Sequence, residues 1–176
     1  VSGTLGTTSC TVTIHASTQT GDDLYCQVAV NENASNAVQV TVTDDDSGGN
    51  TWTQEQRGTN GNSFLFWKKA TSGSASKTVT VANAENSVCS LVAVYRGGAA
   101  GDPTTNLSFE ANISGNESHA GFTPANAGSM ICLAVFNYTN DLVTAGQTCT
   151  DPGALTERGD ATSTGGADCQ ASHASA

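Results

Sequence analysis

Three histidines, six cysteines and sixteen acidic residues are the groups with which this 176-residue chain could do chemistry. Acyl transfer by a serine needs a histidine base beside it and a carboxylate to orient that base. No G-x-S-x-G elbow occurs in the sequence. His15 falls on the polar side of an alternating segment, while His119 and His173 lie among Gly, Ser and Ala. Solvated surface histidines explain that placement, so no catalytic residue is assigned. Glycoside hydrolysis needs two facing carboxylates, and sixteen acids supply a pair by number alone. No enzymatic function is expected.

The densest acidic segment is Asp44-Asp45-Asp46-Ser47-Gly48-Gly49-Asn50. Oxygen donors at alternate positions around a glycine turn suit a hard cation such as Ca²⁺, with Asp44, Asp46 and Asn50 as the candidate ligands. An EF-type loop would need an oxygen ligand where Gly48 stands and a Glu at its end, so a solvated hairpin turn is the favoured expectation. No other cofactor is implied. The cysteines (Cys10, Cys26, Cys89, Cys132, Cys149 and Cys169) are even in number, widely spread and without a C-x-x-C pair. With only three histidines beside them they do not read as a zinc site. Disulfides formed in an oxidising compartment are expected, with buried thiols as the alternative.

Spacing leaves the connectivity open. One arrangement places Cys10 beside Cys26 across a hairpin, Cys89 with Cys132 between central strands, and Cys149 with Cys169 as the remainder. Five N-x-S/T sequons, at Asn33, Asn106, Asn112, Asn116 and Asn137, are candidate glycosylation sites. A chain this rich in Asn, Ser and Thr produces several by chance, so the sequons agree with secretion without requiring it.

Six Lys and Arg against sixteen Asp and Glu leave a net charge of −10, which excludes nucleic-acid coating and polybasic membrane binding. The longest apolar runs, Leu91 to Tyr95 and Ile131 to Phe136, are too short to span a bilayer. No membrane insertion is expected. The sequence begins at Val1 without an initiator Met or signal peptide, as expected if a leader was cleaved or the ends were trimmed.

The elements that must position these groups read as strands almost throughout. Charged residues are only 12% of the chain, and Ser with Thr make up about a quarter, a composition favouring strands and turns. Period-two alternation recurs at Cys10-Val12-Ile14, Leu24-Cys26-Val28-Val30 and Val38-Val40-Val42. Further strands are predicted over 51–54, 64–69, 78–81, 88–96, 107–113, 130–138, 155–160 and 168–172. Clusters of Gly, Asn, Asp and Ser separate them. About ten short strands at this spacing predict an all-β chain, an antiparallel β-sandwich of jelly-roll type. The domain plan is an extended amino-terminal segment over 1–8, a candidate donor strand, followed by one sandwich over 9–176.

That sandwich carries signs of internal duplication. Asp23-Leu-Tyr-Cys-Gln-Val-Ala-Val-Asn31 resembles Ser129-Met-Ile-Cys-Leu-Ala-Val-Phe-Asn137, and downstream Asn50 to Glu55 and Ala154 to Arg158 occupy similar places, each after an acidic, Gly-containing turn. The first copy continues into two strands, at 78–81 and 88–96, that the second lacks. An incomplete second copy would leave an open sheet edge. In the stretch Phe64-Leu65-Phe66-Trp67 both faces are apolar, which predicts burial by a second layer or by a neighbouring subunit. With Trp52 the same aromatics are the candidate platform for a stacked sugar.

The succession Gly21-Asp-Asp-Leu24, Val40 to Trp52 (VTVTDDDSGGNTW), Phe66-Trp-Lys-Lys-Ala70 and Leu91-Val-Ala-Val-Tyr-Arg-Gly97 resembles a broad group of secreted β-sandwich surface modules of bacterial and phage proteins. These share a D-S-x-G-N-T-W type hairpin, and most have no assigned activity. Ala154 to Asp160 is similar to a strand near their ends. The six cysteines and the early stop depart from the pattern. The resemblance implies a jelly-roll-like fold and a place on a cell or virion surface, without chemistry.

The expected function is therefore a non-catalytic structural subunit of an extracellular assembly. A self-polymerising, pilus-like filament built by strand donation comes first, with Val1 and Leu5 of the uncharged segment VSGTLGTT as the candidate subunit contacts. A phage capsid decoration or tail surface protein and a carbohydrate-binding module are the alternatives. The expected partner is the chain itself, with glycans second and nucleic acid excluded.

Overall fold

β-Branched residues at alternate positions fit a pleated, half-buried surface, and that pattern dominates the architecture. The structure is a computed structural model that describes residues 2–6, 9–30, 40–45, 52–57, 63–73, 78–82, 88–97, 130–137, 156–162 and 168–175. The described residues contain strands and turns and no helix. The strands are β1 (Ser2–Gly6), β2 (Ser9–Thr13), β3 (Asp23–Val30), β4 (Thr41–Asp44), β5 (Thr53–Arg57), β6 (Ser63–Lys69), β7 (Thr78–Ala82), β8 (Val88–Tyr95), β9 (Met130–Asn137), β10 (Thr156–Thr162) and β11 (Asp168–Ser175). The strand expected over 107–113 lies outside the described residues.

Every pairing is antiparallel. A five-stranded sheet runs β1-β8-β3-β6-β5, and two three-stranded sheets run β2-β7-β4 and β10-β11-β9. Alternation decides which side chains meet. Leu24, Cys26 and Val28 of β3, Phe64 and Phe66 of β6 and Val92 of β8 point from the five-stranded sheet into one apolar cluster. Cys10 and Val12 of β2, Val42 of β4, and Val40 and Ile14 beside these strands, enter the same cluster from the β2-β7-β4 side. Burying side chains of this size removes roughly 1.5–3 kcal/mol of exposure cost apiece.

The other face of the five-stranded sheet is only partly covered. Gln27 is buried, and its side-chain oxygen accepts no hydrogen bond among the described residues. Tyr25, Leu65 and Trp67 on that face are half-buried.

One expectation needs correction. The hairpin expected between Cys10–Ala16 and Asp23–Val30 does not form, because β2 pairs with β7 while β3 pairs with β6 and β8. The link between them changes sheets. It is a pair of turns in which Thr18 N donates to His15 O (3.0 Å) and Asp22 N donates to Gln19 O (3.1 Å). Gly21, at φ 87°, supplies the left-handed backbone this route needs. Its N–H then donates to Ala70 O at 2.8 Å, tying the turn to the end of β6.

The amino-terminal segment, the candidate donor strand, is paired within the single chain. β1 pairs within its own chain at the edge of the five-stranded sheet, from Ser2 opposite Val92 to Gly6 opposite Val88. An extended, uncharged segment satisfies its backbone groups on whichever exposed edge is nearest, and β8 is within reach.

The resemblance between the two stretches of sequence has a counterpart in topology. β3-β6-β5 and β9-β11-β10 have the same order, the same antiparallel sense and corresponding sequence partners. Each also carries a register shift in its last-named strand, between Gln54 and Gln56 in β5 and between Glu157 and Gly159 in β10. The outer edge of β3 is taken by β8. Among the described residues no strand takes the outer edge of β9.

Candidate functional site

Inward parity runs through Val40 and Val42 to Asp44, and through Phe64 and Phe66 to Lys68, so both strands end with a charged side chain aimed at the core. Lys68 Nζ lies 2.8 Å from Asp44 Oδ2, and the two side chains are 1% and 0% exposed. Trp52 Nε1–H donates to the same carboxylate oxygen at 2.6 Å. Its ring, packed against the core cluster, stands 6.0 Å from the Lys68 ammonium. β4 belongs to one sheet and β6 to the other, so the pair bridges them.

Asp44 was the first candidate cation ligand, and the structure places its carboxylate inside the protein against Lys68 and Trp52 rather than in a solvated turn. The reason is periodic: position 44 continues the inward set 40, 42. Asp46 and Asn50 lie outside the described residues, and Asp45 is exposed. Among the described residues no group of three or more His, Cys, Asp or Glu side chains could hold a metal ion.

A second polar cluster closes one end of the five-stranded sheet. Asp22 Oδ1 and Oδ2 accept bonds from Arg96 Nε and Nη2, both at 3.1 Å, and Oδ2 also accepts the Gln19 N–H at 2.8 Å. Arg96 Nη2 donates to Ser17 O at 2.6 Å as well. Hydrogen bonding to the guanidinium holds the Asp22 carboxyl below its ordinary pKa, against the opposing effect of burial. The same contact raises Arg96. Alongside, Asp23 Oδ1 accepts from Lys69 Nζ (2.7 Å) and Trp67 Nε1 (3.2 Å). All these partners belong to turns and strand ends, and the geometry is that of a brace.

His15 Nδ1 lies 2.7 Å from Ser17 Oγ, on the exposed side of the same turn. It also accepts the Ser17 backbone N–H at 3.2 Å, so the ring caps a local turn. The nearby carboxylate of Asp22 is engaged by Arg96 and Gln19, and does not orient the imidazole in the manner of a triad. His173 is in β11, opposite Cys132, and His119 lies outside the described residues.

The aromatics divide between two faces. Phe64 and Phe66 are buried and stacked at 6.3 Å between centroids, whereas Trp67 is half-buried on the opposite face with Tyr25 and Leu65. Trp52 packs against the core. They do not make one flat platform.

Cys10 on β2 and Cys26 on β3 are both buried in the one apolar cluster. Cys89 lies in β8 opposite Leu5 and Ala29, Cys132 in β9 opposite His173, and Cys169 in β11 opposite Phe136. Cys149 lies outside the described residues, as do Asn33, Asn106, Asn112 and Asn116, while Asn137 is the last residue of β9. Val1 is likewise outside them, and Leu5 sits in β1 against its own β8.

The Lys68–Asp44–Trp52 cluster was missed in the sequence. Its signal was available: a Lys and an Asp each at the inward parity of an otherwise apolar strand. No family model, curated protein or solved structure matches the chain.

Proposed function

We propose that this chain is a non-catalytic structural subunit of an extracellular assembly, a jelly-roll-like β-sandwich that polymerises into a filament by strand addition. The observation that carries the reading is the outer edge of β9. This eight-residue strand, MICLAVFN, pairs with β11 along its whole length on one side. The equivalent edge of β3 is filled by β8, and the shared order β3-β6-β5 and β9-β11-β10 supports an internal duplication in which, among the described residues, no strand fills that edge of the second copy. An unpaired apolar edge is a template for another chain. The segment Val1–Thr8 is the donor. Its strand β1, Ser2–Gly6, rests on β8 in the single chain and moves to the β9 edge of the next copy, a head-to-tail contact that repeats without closing.

The composition suits such a surface role, and six cysteines without a C-x-x-C pair fit secretion. Electron microscopy of the full-length chain and of a chain lacking Val1–Thr8 tests the proposal. The full-length protein is expected to form filaments, and the shortened one to stay folded and monomeric. Excess peptide VSGTLGTT is expected to shorten the filaments by occupying their open edges. A full-length protein that remains monomeric at high concentration overturns the proposal, as does a shortened protein that polymerises normally. Micromolar glycan binding by such a monomer would favour the carbohydrate-binding reading instead.

A further inference from the structure

Two fully buried opposite charges are an expensive way to join two sheets. Each ion loses its hydration, and their mutual attraction repays this only with further hydrogen bonds. Lys68 and Asp44 meet at 2.8 Å with side-chain exposures of 1% and 0%, between residues whose neighbours are Val42, Phe66 and the Trp52 ring. That arrangement also satisfies the requirements for a reaction between them. We propose that Lys68 and Asp44 condense spontaneously into an intramolecular amide, a covalent cross-link between β6 and β4 and hence between the two sheets.

The balance is closed without a co-reactant. The step begins with transfer of a proton from Lys68 Nζ to Asp44 Oδ2 across their 2.8 Å contact, which frees the Nζ lone pair. The Nζ lone pair attacks Asp44 Cγ, forming the Nζ–Cγ bond while Oδ1 takes up the negative charge. The Cγ–Oδ2 bond then breaks, Oδ2 departs as water with a second proton from Nζ, and the Oδ1 carbonyl is restored. Nothing is oxidised or reduced.

Three features on the molecule favour this course. The two groups are held in contact by strands fixed in different sheets, which replaces an encounter in solution by a pre-set geometry. Trp52 Nε1–H already donates to Asp44 Oδ2 at 2.6 Å, which draws electron density from the carboxyl group and leaves Cγ more open to attack. The burial that keeps bulk water away also removes the reactant that would hydrolyse the product. The product is a single neutral amide in place of two buried charges.

The inference does not depend on the filament reading, because the cross-link forms within one chain. Its test is the mass of the full-length protein, denatured, reduced and alkylated so that disulfides do not contribute. The expected mass is that of the sequence less one water. Trypsin is expected to cut after Lys69 but not after Lys68, and the peptide carrying Lys68 to be joined to the one carrying Asp44. Lys68→Met and Asp44→Ala are each expected to restore the full mass. An unmodified mass with normal cleavage after Lys68 overturns the proposal. So does a water loss that maps to any other residue. Because the wild-type chain supplies the deciding peptide, a variant that fails to fold leaves the test intact.

Discussion

Exchange of β1 between its own β8 and a neighbouring subunit requires that β1 undock without unfolding the rest, and the pairing permits an estimate. Five residues of β1 face five of β8. At roughly one bond per pair, each with a net value of about 0.5–1.5 kcal/mol, the ladder contributes on the order of 2.5–7.5 kcal/mol. Ordering five residues costs on the order of 5–10 kcal/mol in backbone entropy. The two nearly cancel, and with side-chain packing added the docked strand is held by no more than about 3 kcal/mol, roughly a hundredfold preference for the docked form.

β3 differs in kind. It is paired along both edges and sends Leu24, Cys26 and Val28 into the core. Its amides open only with the whole domain, at about 5–15 kcal/mol. Native-state hydrogen exchange followed by mass spectrometry or NMR on the monomer is therefore expected to show two classes. The β1 amides should be protected by roughly a hundredfold at most, and those of β3 by a further factor of at least about ten to a hundred. In filaments the β9 amides, protected on one side by β11 in the monomer, are expected to gain protection. Should β1 exchange as slowly as β3 in the monomer, the cancellation is wrong and strand exchange loses its physical basis.

Three other outcomes follow from individual contacts. Phe66→Ala removes a core ring and is expected to cost about 3–5 kcal/mol, a fall in Tm of roughly 6–20 °C at this chain length. Trp67→Ala on the opposite face is expected to cost less than half as much, and equal losses in a thermal melt would contradict the division of the aromatics. Asp22 has a folded-state pKa below its unfolded value, so its contribution to stability is complete above the unfolded value and fades as pH falls through the folded one. Urea titrations across the acid range should then show a flatter loss of stability in Asp22→Asn than in the wild type, and parallel curves would contradict the Arg96 contact. Gly21→Ala meets no atom within 4 Å but must hold φ 87°, so the expected cost is about 1–2 kcal/mol of backbone strain alone. A melt unchanged by that substitution would show that the turn relaxes.

Local periodicity determined most of the strands. Where apolar residues alternate, as in β3 and β6, the pattern depends only on neighbours two positions apart, and the strand limits follow within a few residues. The composition likewise settled the all-β, helix-free character of the described residues. The likeness of 23–31 to 129–137 was also legible, and the two stretches hold eight-residue strands, β3 and β9.

Partner choice was not legible in that way. A strand's edge hydrogen bonds are the same for every sequence, so nothing in Cys10 to Ile14 states that β2 joins β7 rather than β3. Only the assembled sheets decided that, and with it the entry of Cys10 and Cys26 into the core from two different sheets. Leu5 and its neighbours read as an extended segment in any setting, and the nearest open edge chose β8. Asp44 illustrates the same division within one residue. Its neighbours Asp45 and Asp46 make the local sequence look like a solvated turn, whereas its partner Lys68 stands 24 positions away on another sheet. Charge is read locally as solubility; only tertiary structure can bring its counter-ion into the core and make the inward position tolerable.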